Sequence, residues 1–278
     1  MSNDLDDFMW ACRHGDLRRI DLILSKPEFD PDERGVRSLM NGFQSACYYG
    51  VVPAVKKLMN ERKVNINCRN ANNTTGLHLA SRRGHSNVVR LLLTHPLIET
   101  DIRNCNRESP FFVAITNNNV EIARLLLLKD PNIDMTISND YNENVLMMRC
   151  KFKAFKFVLE NVTAEKAYDL LTSKNNGGMT VLDTVVFNSD DEDAHLRIKY
   201  FLFKFTSVTL QLGLKPLEAL LNLDPDCERH ELIIQYVKDP EVVWSWQSDF
   251  LDPVSGIFTQ IVMLSDNYFV LNTELEQC

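Results

Sequence analysis

Between residues 76 and 94 two short apolar-rich stretches flank a glycine. Leu77, Leu79 and Ala80 mark the first, and Val88, Val89, Leu91, Leu92 and Leu93 the second. The first predicts a helix over about 76–83 with a narrow buried face. The second predicts a helix over about 87–94 that is apolar on nearly all sides, as a helix sandwiched between neighbours must be. Gly84 ends the first helix because a left-handed backbone costs little at glycine. Pro96 forbids continuation of the second. An extended loop follows, in which Ile98 plugs the core and Glu99 faces water. Arg103-Asn104-Cys105-Asn106-Arg107 then reads as a turn, since Asn side chains bond their own backbone and tolerate positive φ.

The same pattern recurs along the chain. Arg90-Leu91-Leu92-Leu93 falls on Arg124-Leu125-Leu126-Leu127, and Ala80 on Ala114, at a step of 34. Backwards, Gly84, Gly50 and Gly15 are spaced by 34 and 35, and Ala46 and Ala11 keep the step. The loop pairs Phe29-Asp30, Val64-Asn65, Ile98-Glu99 and Ile133-Asp134 do the same. A fixed period of this length marks a stack of repeats. Residues 1–160 predict an array of four units, the fourth degenerate. In that unit Asn144-Val145-Leu146-Met147-Met148 replaces a regular first helix, Arg149 stands where a small residue is expected, and no glycine separates the helices. This joint is expected to be the weakest of the array.

Residues 161–278 read as divergent repeats and a C-terminal helical cap, giving about six units in all. Gly178-Met179-Thr180-Val181-Leu182-Asp183 opens one, with a second helix over 195–205; residues 215–237 suggest another. Asp252-Pro253-Val254-Ser255-Gly256-Ile257-Phe258 could open a last copy, and Trp244, Trp246 and the apolar run 261–264 suggest the cap. A separate helical module from about Thr206 is the alternative.

Thr75-Gly76-Leu77-His78-Leu79-Ala80 resembles the T-P-L-H-x-A core of the ankyrin repeat, with Gly76 in place of Pro. Ser109-Pro110-Phe111-Phe112-Val113-Ala114 restores the Pro and loses the His. Gly84-His85 and the following Val and Leu residues match the family's inter-helix turn and second helix. The resemblance is specific over 40–138, degraded over 4–37 and fragmentary beyond 144. It implies an all-α, ankyrin-type helix-turn-helix solenoid with short hairpin loops, and non-catalytic recognition of a protein partner on the concave face, as a scaffold or adaptor. It implies that His78 bonds the adjacent hairpin backbone and that His85 belongs to the turn. Carried over by position, the partner-binding residues are Arg13, His14, Tyr48, Tyr49, Arg82, Arg83, Thr116 and Asn117 beside the turns, with Arg69, Asn72, Arg103, Asn106 and Glu108 on the hairpins. Arg gives planar bidentate bonds to carboxylate or phosphate and Tyr gives rigid contact area. Such a stripe points to a partner with an acidic or phosphorylated segment; the plainer reading is a row of solvated helix ends.

Composition narrows the rest. The 278 residues carry a net charge of −8, with 45% hydrophobic and 24% charged residues. That balance fits a folded chain and lacks the basic footprint of nucleic-acid binding. No apolar run reaches membrane-spanning length and the start is acidic, so neither membrane insertion nor a leader is expected. Seven scattered cysteines without a CxxC pair fit a reducing compartment, so a cytoplasmic or nuclear monomer is expected. No phosphate-binding, metalloprotease or nucleophile-elbow motif occurs, and neither enzyme activity nor a cofactor is expected. Cys227 and His230 are too few for a metal site. The run 190–193 reads as a solvated acidic loop, and the LxxLL of Leu217-Glu218-Ala219-Leu220-Leu221 as a repeat helix. Two alternatives stay open: an ankyrin targeting module fused to a C-terminal module that recruits an effector such as a ubiquitin ligase, and a small C-terminal enzyme domain.

Overall fold

The computed structural model describes residues 4–35, 39–187, 193–213, 257–263 and 269–275. It divides into two compact units, 1–161 with 174–178, and 162–173 with 179–278. The first unit holds four helix pairs: α1 (Asp4–His14) with α2 (Leu17–Leu24), α3 (Gly42–Tyr49) with α4 (Val52–Met59), α5 (Gly76–Arg83) with α6 (Ser86–Leu92), and α7 (Pro110–Thr116) with α8 (Val120–Lys129). The first helices pack side by side in the order α1, α3, α5, α7, and the second helices in the order α2, α4, α6, α8. Ala11, Ala46, Ala80 and Ala114 are wholly buried. A larger side chain there would overpack the helix contact, at a typical cost of about 1–3 kcal/mol. Phe29, Ile98 and Ile133 are buried as the loop alternation requires, and Val64 is half-buried. Four regular pairs precede the damaged segment, so the degenerate unit is the fifth.

The helix starts explain how the hairpins are tied in. Asn41 with Gln44, and Thr75 with His78, form reciprocal caps, which satisfy backbone N–H groups that a helix leaves open. The same two side chains also reach the hairpins. Gln44 Nε2 donates to the carbonyls of Cys68 and Thr74 at 2.9 and 3.0 Å. His78 Nε2 donates to the Glu108 carbonyl at 3.1 Å, as the resemblance implied. In the next pair Ser109 still caps Phe112 N at 3.2 Å, but the apolar Phe112 can bond no hairpin. His78 is buried and neutral: burial lowers its pKa from 6.5 to about 4. Its Nδ1 lies 3.3 Å from the N–H of Thr75 and 2.8 Å from the Thr75 hydroxyl, both of which can donate to it in the neutral ring.

Each hairpin turns through a left-handed residue. Leu39, Asn73, Arg107 and Asn142 occupy equivalent positions with φ of 55, 55, 64 and 58°, and Gly178 continues the row at 77°. Asn accommodates this backbone through its short polar side chain; Leu and Arg have no such relief.

The fifth unit keeps its second helix, α9 (Phe152–Glu160), but its first helix shrinks to a single turn. Val145, Leu146 and Met147 are nevertheless buried, and Asn144 Oδ1 accepts from Leu146 N at 2.9 Å. Arg149 is exposed where earlier units bury a small residue. The hairpin 174–178 belongs to the first unit. Asn176 N donates to the Tyr141 carbonyl and Asn142 Nδ2 to that of Lys174, at 2.9 and 2.7 Å.

The second unit contains α10 (Ala164–Thr172), α11 (Val181–Phe187) and α12 (Ala194–Gln211). Thr180 and Asp183 bond each other's backbone where the sequence marks a repeat start. Phe201 and Phe205 stack in its interior, and the half-buried Tyr168 stacks on Phe205. Its last described elements depart from the expected helical cap. β1 (Ile257–Met263) and β2 (Phe269–Leu275) pair antiparallel, with Ile257 opposite Leu275 and Met263 opposite Phe269. Both stretches are rich in β-branched and aromatic residues, which fit a pleated strand better than a helix. The expected repeat unit over 215–237, the LxxLL segment, Cys227, His230, Trp244 and Trp246 lie outside the described residues. So do 190–192 of the acidic run. Among the described residues no helix is long and apolar enough to cross a membrane.

Three outcomes follow from this packing. Amides of residues 144–161 should exchange with deuterium faster than those of 77–93, measured by mass spectrometry; equal protection would contradict the view of 144–161 as the weak joint. The contribution of His78 to stability should be level above pH 6.5, then fall as pH drops from 6.5 toward 4, because the unfolded chain binds a proton at His78 that the folded chain refuses. The slope from this group is about 1.4 kcal/mol per pH unit, levelling below about pH 4. His78→Gln, which copies Gln44 one repeat earlier, should flatten that slope in urea melts at stepped pH. Finally, Arg107→Asn should raise stability by about 1 kcal/mol by removing left-handed strain.

Candidate protein-recognition face

The C-terminal ends of the first helices carry the pairs Arg13-His14, Tyr48-Tyr49, Arg82-Arg83 and Thr116-Asn117. Their last carbonyls lack partners within the helix, and in the second and third pairs the following repeat supplies them. His85 Nε2 donates to the Tyr48 carbonyl at 2.9 Å. Asn119 Nδ2 donates to the carbonyls of Ser81 and Arg82 at 2.7 and 3.2 Å. These side chains lie against the preceding left-handed turn. A Cβ at Gly50 would stand 2.6 Å from His85 Nδ1, and one at Gly84 2.9 Å from Asn119 Oδ1. At the next turn Asn118 replaces glycine with φ 62°, and its Oδ1 accepts from the N–H of Lys151.

On this backbone the side chains of three repeats meet. The Arg13 guanidinium lies 4.2 Å over the Tyr49 ring. Tyr49 meets Tyr48 edge to face at 5.0 Å. The Arg83 guanidinium lies 4.5 Å over Tyr48. Each exposed cation–ring contact contributes about 0.5–1 kcal/mol, enough to bias a long arginine toward one orientation. Tyr48 is half-buried, while Arg82 and Asn117 are exposed. The other candidates divide. Arg82 approaches Glu108 at 3.9 Å, and the Glu108 carboxylate, only 13% exposed, also accepts from Asn104 at 2.7 Å. Arg69, Asn72, Arg103 and Asn106 are exposed on the hairpins, where Cys105 N donates to the Asn72 carbonyl at 2.9 Å.

Some predicted site residues are occupied internally. His14 stacks on Trp10 at 4.4 Å, with Nδ1 2.8 Å from the Trp10 carbonyl. The Thr116 hydroxyl and the Asn117 amide both donate to the Val113 carbonyl, at 3.2 and 2.8 Å. The sequence reading missed Trp10 and Arg19, whose guanidinium sits 5.3 Å over the Trp10 ring. It also missed the carbonyl bonds made by His85 and Asn119; their position directly after the turn residue was the available signal.

Among the described residues no group of three His, Cys, Asp or Glu is placed to hold a metal ion. Cys12 and Cys47 are buried between first helices, and burial pushes the Cys12 thiol up to about 12. Such a thiol stays protonated and packs as a small apolar group.

A family model of three ankyrin-repeat copies matches residues 8–95 and 43–139. Mouse Rabankyrin-5 is 30% identical over 94 residues, 34% of this chain and 8% of that protein. The chain therefore spans a small fraction of this relative's length. The fold is similar to that of a chain in the solved structure of the Bdellovibrio bacteriovorus predatory endopeptidase Bd0816 in complex with its immunity protein Bd3460. The TM-score is 0.58 at 22% identity, covering 70% of this chain and 97% of the other. Helix pairs at a period of 34–35, reciprocal caps and left-handed turns agree with the family match: residues 8–139 of this chain are ankyrin repeats.

Proposed function

We propose that this chain is a non-catalytic adaptor that binds a protein partner along the concave row of turn-proximal side chains, and that the partner presents an acidic or phosphorylated segment. Ankyrin repeats are protein–protein interaction modules. The observation that carries the finer reading is the continuous contact from Arg13 through Tyr49 and Tyr48 to Arg83, which joins three repeats. Tyr and Arg are the residue types that dominate interface energies. They are anchored to a backbone fixed by bonds from the next repeat, so little ordering entropy is lost on binding. Arginine concentrated here in a chain of net charge −8 favours an anionic ligand over a basic one.

The test is affinity purification with the wild-type chain beside an Arg82→Glu/Arg83→Glu double variant. Reversal of two interface charges should weaken capture of the specific partner at least tenfold, since charge-assisted hydrogen bonds are worth about 1.5–3 kcal/mol. Unchanged recovery with an unaltered melting temperature would overturn this face as the binding site.

A further inference from the structure

We propose that Arg13, Tyr49, Tyr48 and Arg83 act as one reading head for an extended acidic segment, in which two carboxylates of the partner chain each meet one guanidinium. This deepens the recognition reading above and rests on it. A guanidinium stacked on a ring still has its N–H groups directed outward in its own plane, the geometry that takes a carboxylate bidentately. Arg13 and Arg83 each place the guanidinium carbon over a tyrosine ring, one from the repeat before the tyrosines and one from the repeat after. Among the described residues neither arginine joins an ion pair. Arg82 differs. Glu108 already stands beside it as an internal carboxylate, held in place by Asn104, so its charge is partly answered before any partner arrives.

The spacing of the ligand follows from the contacts. Steps of 4.2, 5.0 and 4.5 Å lead from one guanidinium to the other. The two charges therefore lie within about 14 Å, a span that an extended peptide covers in about four residues. Tyr49, 39% exposed, and the half-buried Tyr48 form the floor under the residues in between. Aromatic rings suit a stretch of backbone and small side chains there, which leaves the two ends to carry the charge.

The test uses the full chain and fluorescein-labelled Gly-Ser peptides that carry two glutamates separated by zero to six residues. Binding is read by fluorescence anisotropy at low ionic strength. Affinity should peak at two or three intervening residues, at least fivefold above a peptide with one glutamate. Arg13→Gln and Arg83→Gln should each remove that gain, whereas Arg82→Gln should change binding less than twofold. Arg13→Lys and Arg83→Lys should restore only part of the gain, because an ammonium keeps the charge and loses the fork. Thermal melts of every variant separate binding loss from unfolding. Absence of peptide binding, binding indifferent to spacing, or equal losses in Arg82→Gln and Arg83→Gln would each overturn the two-carboxylate head. So would a single phosphoserine in place of both glutamates binding more tightly than the best pair. If the head fails while the charge-reversed double variant still loses its cellular partner, the recognition face stands and only this ligand assignment falls.

Discussion

At two joints of the array one side chain reaches back to carbonyls at the end of the preceding first helix. His85 does this to Tyr48, and Asn119 to Ser81 and Arg82. A helix cannot leave its last carbonyls dry and unpaired without a penalty, so α3 and α5 are each completed by the repeat that follows. The left-handed residue at the turn makes room for that side chain, and at Gly50 and Gly84 there is no space for a Cβ. Register between repeats is therefore set by hydrogen-bond geometry as well as by apolar burial. Interactions of this kind join nearest neighbours only, which is why stability in such arrays is close to a sum over joints.

The proposed recognition face draws on the same bond. The residues whose carbonyls are held are those whose side chains, Tyr48 and Arg82, emerge beside the turns. Fixing the backbone there places aromatic and cationic groups from three successive repeats within stacking distance. In the proposed reading, packing and recognition draw on one set of positions: the carbonyl serves the stack and leaves the side chain to face a partner. Where a side chain turns back on its own helix, as Thr116 and Asn117 do, the backbone gains a partner and the surface has less to offer.

The helices were legible because their signals are local. Gly84 and the Thr75 cap bracket 76–83, and the observed α5 has those bounds. The damage at 144–149 was visible as a missing glycine and a charged residue at a small-residue position. The carbonyl bonds and the arginine–tyrosine contacts were not legible, since they join residues about 35 apart in directions that depend on the register of the stack. The strands at 257–263 and 269–275 were missed for another reason. Within a series of repeats the apolar run 261–264 suggests a helical cap, although Ile257, Thr259, Ile261 and Val262 favour a pleated chain. Asn119 shows the limit of motif matching: it lies in an Asn-rich turn, where composition alone cannot say which amide faces the neighbour.

The hairpin tips carry a last implication. Residues 39, 73, 107, 142 and 178 share one left-handed backbone state at nearly regular intervals. Genetic recombination between any two of these points would rejoin chain ends that already have matching conformations. A unit could be gained or lost there without inventing a new loop, and the length of surface offered to a partner would change in whole-repeat increments. A residue such as Arg107, poorly suited to that state, would then be a scar that selection has tolerated or kept for what its side chain does in solvent.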